Sequence, residues 1–156
     1  MSTISIDQAV SNFTAAMTGD KTFQLADFKG KANVVLYFYP KDNTPGCTTE
    51  GQEFRDAYSA FQATDTEIFG ISRDSLKMHE NFRTKHGFPF ELISDHDEVV
   101  CQLFDVIKMK NMYGKQVRGI ERSTFLIDKG GILRQEWRKV RVKDHVTAVL
   151  TAAQAL

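Results

Sequence analysis

The sequence predicts an α/β fold in which a central mixed β-sheet is flanked by helices. Three observations carry that reading. Val34-Val-Leu-Tyr-Phe-Tyr39 is an unbroken run of β-branched and aromatic residues closed by Pro40, the pattern of a strand buried on both faces. From Cys47 to about Gln62 the period changes, with Phe54, Ala57, Tyr58 and Phe61 recurring at the spacing of one helix face. Later, two strand-like runs flank Asp128-Lys129-Gly130-Gly131, a hairpin turn, and a helical stretch follows. Strand–helix alternation ending in a hairpin and a helix implies helices packed over a sheet with both parallel and antiparallel strands.

The remaining elements follow in order. Thr22-Phe-Gln-Leu25 alternates weakly after the Gly19-Asp20 turn and reads as a short strand. Glu67-Ile-Phe-Gly-Ile71 is a second apolar strand, Ser75 to about His86 a helix carrying Leu76, His79 and Phe82, and Phe90-Glu-Leu-Ile93 a third strand. Ser94-Asp95 supplies cap chemistry for a short helix containing Val99, Val100, Leu103 and Phe104. Ser123–Ile127 and Ile132 to about Val140 are the hairpin strands, and residues 144–153 form the last helix. This order fits a thioredoxin-like α/β fold, among others.

Composition bounds the function. A chain of 156 residues suits a single domain spanning 1–156. Twenty basic residues balance twenty acidic ones, so no global field favours nucleic acid or an anionic membrane. The N-terminal stretch lacks a basic start and an apolar signal-like run, and nothing approaches the ~20 apolar residues of a membrane span. The expected location is cytoplasmic. Two cysteines, Cys47 and Cys101, are too few for a secreted disulfide framework and in a reducing cytosol point to a reactive or a buried thiol. Residues His79, His86, His96 and His145 show no metal-ligand spacing, so no metal and no cofactor is expected. Arg134, Arg138, Lys139, Arg141 and Lys143 form the single basic cluster, read as the solvated side of a strand and its exit.

The chemistry concentrates in Tyr39-Pro40-Lys41-Asp42-Asn43-Thr44-Pro45-Gly46-Cys47-Thr48-Thr49-Glu50. A buried strand ends at Pro40, a short loop turns, and a helix begins near Cys47. Pro45 biases Thr44 toward an extended backbone, and Gly46 allows a close turn. A cysteine in a first helical turn faces unpaired N–H groups and the positive end of the dipole, which favour an anion. Such placement takes thiols from a pKa of ~8.5 into the range of about 3.5–7.5, raising the thiolate fraction at neutral pH by roughly thirtyfold at a pKa near 6. Glu50 and Glu53 oppose ionisation there, so a cation must help.

Pro40-x-x-x-Thr44-x-x-Cys47 resembles the active-site signature of peroxiredoxins, and YFYPKDNTPGCTTEGQEFRD is similar to the bacterioferritin comigratory protein (peroxiredoxin Q) branch. The likeness continues through DFKGK at 27–31, GIS at 70–72, KHGFPFELISD at 85–95 and RSTFLID at 122–128, covering roughly residues 22 to 150. At the N terminus the branch often opens Ala-Pro-x-Phe, whereas this chain has Ala9-Val10-Ser11-Asn12-Phe13, so the resemblance does not predict a first hairpin. The resemblance implies a thioredoxin-like fold and a thiol peroxidase in antioxidant defence, acting on hydrogen peroxide and organic hydroperoxides. It makes Cys47 the peroxidatic cysteine, oxidised to a sulfenic acid. Thr44 would place its hydroxyl beside sulfur and peroxide, Pro40 would shield the sulfur, and Arg122 would pair with the thiolate. Backbone N–H groups of Gly46 and Cys47, with Arg122, would stabilise charge on the oxygens.

Glu50 and Arg55 are as well explained by helix-surface pairing as by a role at the site. Cys101 flanks an apolar stripe and reads as a semi-buried structural thiol, with a resolving role as the alternative. Many members of the branch carry a second cysteine five residues after the first, where this chain has Gln52, and residues 75–86 contain none. The expectation is a one-cysteine cycle in which thioredoxin, glutaredoxin or a small thiol such as glutathione reduces the sulfenic acid, in a monomer or homodimer. A thioredoxin-type disulfide oxidoreductase would need a partner thiol at Cys-x-x-Cys spacing, and position 50 is Glu. A non-enzymatic redox sensor or holdase would show no turnover with a reductant. Cys47→Ser is expected to abolish peroxide consumption while Cys101→Ser leaves single-turnover peroxide reduction unchanged, which stopped-flow kinetics on the two variants will measure.

Overall fold

A computed structural model describes residues 4–156; residues 1–3, the start of the N-terminal stretch and of the single domain expected from the sequence, lie outside the described residues. The strands are β1 (Thr14–Met17), β2 (Lys21–Gln24), β3 (Asn33–Phe38), β4 (Thr66–Ser72), β5 (Glu91–Ser94), β6 (Ile107–Met112), β7 (Lys115–Ile120), β8 (Ser123–Ile127) and β9 (Leu133–Trp137). The helices are α1 (Pro45–Gln62), α2 (Leu76–His86), α3 (Val99–Leu103) and α4 (His145–Gln154). Seven strands form one sheet in the order β2-β1-β5-β4-β3-β8-β9, and β6 and β7 form a separate antiparallel hairpin.

The sheet is mixed, as the sequence predicts. Strand β3 is its centre, parallel to β4 and antiparallel to β8, and every one of its residues is buried. Side chains alternate across a strand, and here the alternation sorts two cores. Val34, Leu36 and Phe38 pack with Phe104, Cys101 and Phe125 on one face. Val35, Tyr37 and Tyr39 pack with Cys47, Phe54 and Phe61 of α1, Phe82 of α2 and Val146 and Val149 of α4 on the other. The three longer helices thus share one face. The opposite face is covered by α3, a short turn at Leu25–Phe28 and the N-terminal segment.

Two elements depart from the sequence reading. The first hairpin forms despite the altered N terminus: β1 pairs with β2 through Thr14↔Gln24 to Met17↔Lys21, because Phe13 still stacks on Phe23 at 5.2 Å between ring centroids. The β6–β7 hairpin was not expected at all. Its ladder runs from Ile107↔Ile120 to Met112↔Lys115, yet most of its residues are exposed, so no one-sided burial marks it in the sequence. Of the basic cluster, Arg138 is not merely solvated: it lies over Phe125 at 5.1 Å and donates to the carbonyls of Phe104 and Asp105.

Local signals fix the helix ends that position the site. Ser75 caps α2 by accepting from the Met78 amide, and Gly87, at φ 64, closes it. At the start of α3 the cap is displaced from expectation: the Asp95 carboxylate accepts from the amides of Val100 and Cys101, while Glu98 occupies the N-cap position itself. In the middle of α1, Gly51 faces the Phe88 ring so closely that a β-carbon would overlap it, with Phe88 Cε2 at 3.0 Å. The ring is itself pinned, stacked on Phe90 and edge-on to Phe82. Gly51→Ala is therefore expected to push α1 off the sheet and destabilise the protein by about 1–3 kcal/mol, measurable as a lowered urea midpoint with unchanged slope.

Candidate active site

Strand β3 delivers the chain to Tyr39, whose amide donates to the Ile71 carbonyl beyond the end of the ladder, and Pro40 begins a loop that ends at Thr44, the N-cap of α1. Pro45 occupies the first helical turn, where a missing N–H costs nothing. Helix α1 therefore begins two residues before the sequence reading placed it, and Gly46 and Cys47 lie within its first turn. Their amides belong to the set that no intrahelical carbonyl can satisfy. The Cys47 side chain is buried, only 2% exposed.

Arg122 precedes β8 and reaches across to α1. Its Nη2 donates to Cys47 Sγ at 3.3 Å, and its Nη1 donates to Glu50 Oε1 at 2.6 Å. Gly46 makes room for this approach, since a β-carbon there would stand 3.2 Å from Arg122 Nη2. The structure thus brings together Cys47, Gly46 and Arg122, while Pro40 and Thr44, both partly exposed, begin and end the loop that leads into α1. The Thr44 hydroxyl donates to the Lys41 carbonyl at 2.9 Å, which leaves its oxygen lone pairs as acceptors. Arg55, considered for the site, lies elsewhere and donates to the His86 carbonyl and Asp56.

Glu50 is not a surface residue. It is fully buried, three positions after Cys47 and so on the same side of the helix. Burial pushes its carboxyl up to about 7, with Arg122 pulling the other way. Its Oε1 is held by Arg122, but Oε2 accepts no hydrogen bond among the described residues, with His145 Nε2 at 4.0 Å. His145 is pushed down to about 4, by burial first and then by the Arg122 charge, and its Nε2 meets Thr124 Oγ1 at 2.8 Å. The Tyr37 hydroxyl, also buried without a partner, is driven well above its usual range by the same desolvation.

A second buried network, unseen in the sequence, holds the loop. Asp42 accepts from the Tyr39 hydroxyl at 2.6 Å and faces His79 Nδ1 at 2.6 Å. His79 Nε2 faces the Ile93 carbonyl at 2.9 Å. A carbonyl only accepts, so Nε2 carries a proton and the Nδ1–Asp42 contact shares another. The Asp42 amide donates to Asp74, which also accepts from Ser72. Asp42, Asp74 and His79 place ligand-type atoms within 4.8 Å of one another, but those atoms already bond to each other and to Ser72. The sequence signal was a histidine within the apolar stripe of α2, where a core partner is the rule.

Cys101 is fully buried, deeper than the semi-buried position expected. Its thiol is pushed far up by burial, then by its hydrogen bond to Asp95. It belongs to the core on the face of the sheet opposite to Cys47.

Comparison with known proteins follows this geometry closely. The AhpC/TSA family profile matches residues 6–136. Peroxiredoxin Bcp of Xanthomonas campestris is 58% identical over 122 residues, 78% of this chain and 76% of that one. Peroxiredoxin Bcp of Bacillus subtilis is 50% identical over 95% of this chain and 94% of that one. Among solved structures, a peroxiredoxin Q from Xanthomonas campestris superposes with a TM-score of 0.89 at 49% identity, covering 99% of this chain and 97% of that one. A cysteine-to-serine mutant of PrxQ from Xylella fastidiosa gives 0.93 at 42% identity over 99% and 98%. No helix among the described residues is long and apolar enough to cross a membrane.

The buried carboxylate makes a signed prediction about pH. The carboxyl of Glu50 is raised from 4.5 in the ordinary state to about 7 in the fold. Its contribution is fully present below the lower value and is lost as pH rises through the upper one. His145 works in the opposite sense, losing its contribution as pH falls from about 6.5 toward 4. Comparing Glu50→Gln with wild type cancels the histidine term. Urea denaturation is expected to show the variant gaining about 2–3 kcal/mol relative to wild type between pH 5 and pH 8.

Proposed function

The chain belongs to the AhpC/TSA family, in its Bcp or peroxiredoxin Q branch, and from that premise we propose that it is a thiol peroxidase in antioxidant defence, reducing hydrogen peroxide and organic hydroperoxides at Cys47. The observation that carries this reading is the Arg122 guanidinium, which donates at once to Cys47 Sγ and to the buried Glu50. It puts a fixed cation on the sulfur in a water-poor site, and a planar guanidinium has donors left for a peroxide oxygen.

The reaction balances as follows. The Cys47 thiolate attacks the terminal oxygen of the hydroperoxide in line with the O–O bond. An S–O bond forms as O–O breaks, sulfur is oxidised to a sulfenic acid, and the alkoxide or hydroxide takes a proton to leave as alcohol or water. Arg122 and the free amides of Gly46 and Cys47 stabilise charge growing on the oxygens. The Thr44 hydroxyl receives a hydrogen bond from the peroxide, and Pro40 keeps bulk water from the sulfur.

Reduction then falls to an external thiol of the thioredoxin, glutaredoxin or glutathione type. Its thiolate attacks the sulfenic sulfur, water leaves, and a second thiol resolves the mixed disulfide. The opposite-face placement of Cys101 supports this one-cysteine cycle, because a disulfide needs Cα atoms within about 7 Å. Gln52 and the absence of cysteine from α2 support it as well. Two thiols with no disulfide between them suit a reducing cytoplasm, where we place the protein. With a working reductant, Cys101→Ser is expected to keep steady-state peroxide turnover, and wild type treated with one equivalent of peroxide to give a Cys47 sulfenic acid trapped by dimedone without a Cys47–Cys101 peptide on mass spectrometry. Loss of turnover together with that crosslinked peptide would make Cys101 the resolving cysteine.

A further inference from the structure

The β6–β7 hairpin grows out of the active site. Strand β7 ends at Ile120, the Glu121 amide donates to the Val106 carbonyl at 2.7 Å, and Arg122 is the next residue. Along β6, Lys108, Lys110 and Met112 share one face with their cross-strand partners Gly119, Val117 and Lys115. Lys108 pairs with Asp105, and on the other face Arg118 pairs with Glu98. Lys110 is different. It is partly buried, and its side chain has no hydrogen bond and no ion pair among the described residues. Its ammonium instead lies within electrostatic reach of Arg122, Cys47, Glu121 and Arg73. Arg73 pairs with Glu98, and its Nη2 stands 3.7 Å from where a β-carbon of Gly119 would be, so that guanidinium lies against the hairpin base.

The stem of Lys110 is partly buried while its ammonium, unbonded to the protein, keeps contact with solvent. Within electrostatic reach of Cys47 and Arg122, on the hairpin that leads into Arg122, it is a cation whose side chain is free to bind an anion. Arg122 bonds Glu50 and Cys47, and its remaining donors serve the peroxide oxygens. Resting on the peroxidase reading above, we propose that Lys110 is a specificity-determining residue that binds an anionic group, such as a carboxylate, carried by an organic hydroperoxide whose O–O end reacts at Cys47. Arg73, itself paired with Glu98, lies within electrostatic reach of the same ammonium, and Glu121 opposes its positive potential. Hydrogen peroxide, too small to reach both places, gains nothing from Lys110.

The test uses three substrates on the full chain: hydrogen peroxide, a tertiary-alkyl hydroperoxide ending in a carboxylate, and the same skeleton ending in a primary amide. Single-turnover oxidation of Cys47 is followed in wild type, Lys110→Met and Lys110→Arg. The expected result is that Lys110→Met slows the carboxylate substrate about five- to tenfold, the effect of one partly screened charge pair. The other two substrates should change less than twofold, and Lys110→Arg should restore the carboxylate rate. Wild-type preference for carboxylate over amide should also shrink as salt rises. Equal slowing of all three substrates, or an unchanged carboxylate rate in Lys110→Met, would overturn the assignment while leaving the peroxidase intact. A wild type that oxidises with none of the three would overturn both.

Discussion

The site depends on one shared cation. Arg122 holds a buried carboxyl on one side and a buried sulfur on the other, and the carboxyl could not ionise there alone. Taking a carboxylate out of water costs several kcal/mol unless a well-placed partner compensates. Burial accordingly raises the Glu50 carboxyl to about 7 even with Arg122 in contact. Glu50 in turn fixes the guanidinium plane, and Gly46 lets that plane lie against the helix start. The helix terminus, the arginine and the carboxylate act as one unit whose geometry no pair of them would specify.

The sheet makes that unit possible. Arg122 and Cys47 are far apart in the chain, and they meet because β8 pairs directly with β3 in the register Phe38↔Ser123. The residue before β8 and the loop after β3 are therefore forced to the same end of the sheet. The loop between them is held from below by the Asp42–His79 contact, which ties the approach to Cys47 to α2 and, through Ile93, to β5. Buried polar networks of this kind are sensitive to any missing member. Here it fixes a loop that has little apolar surface of its own to hold it, apart from Tyr39.

The same sheet separates the two thiols. Alternation along β3 assigns Cys47 and Cys101 to different cores, and a β-sheet core is close-packed material rather than a passage. Cys101, with its backbone amide and thiol both directed to Asp95, ties α3 to that carboxylate and fills the core beside Phe104 and Phe38. The two cysteines of this chain are chemically opposite: one sits at a helix start against a guanidinium, the other beside a carboxylate in an apolar interior.

The sequence by itself determined what local physics can encode. The continuous apolar run of β3, the helical period of α1, the cap at Ser75 and the turn at 128–131 each lie within one segment, so the elements and the position of Cys47 at a helix start were legible without coordinates. The likeness to a known family added Arg122, which no local pattern around residue 122 would have singled out. Only the tertiary structure decided what depends on pairing between distant segments. Glu50 looked like a surface helix residue because α1 is polar around it, and it is buried because β8 and α4 close over that side. The Asp42–His79 network required the end of β3 to meet α2. The β6–β7 hairpin is held by its own backbone ladder and its roots beside Arg122, with most of its residues exposed, so it left no periodic trace. Periodicity reports which face of an element is buried. It does not report which element buries it, and at this site the second question is the one that sets the chemistry.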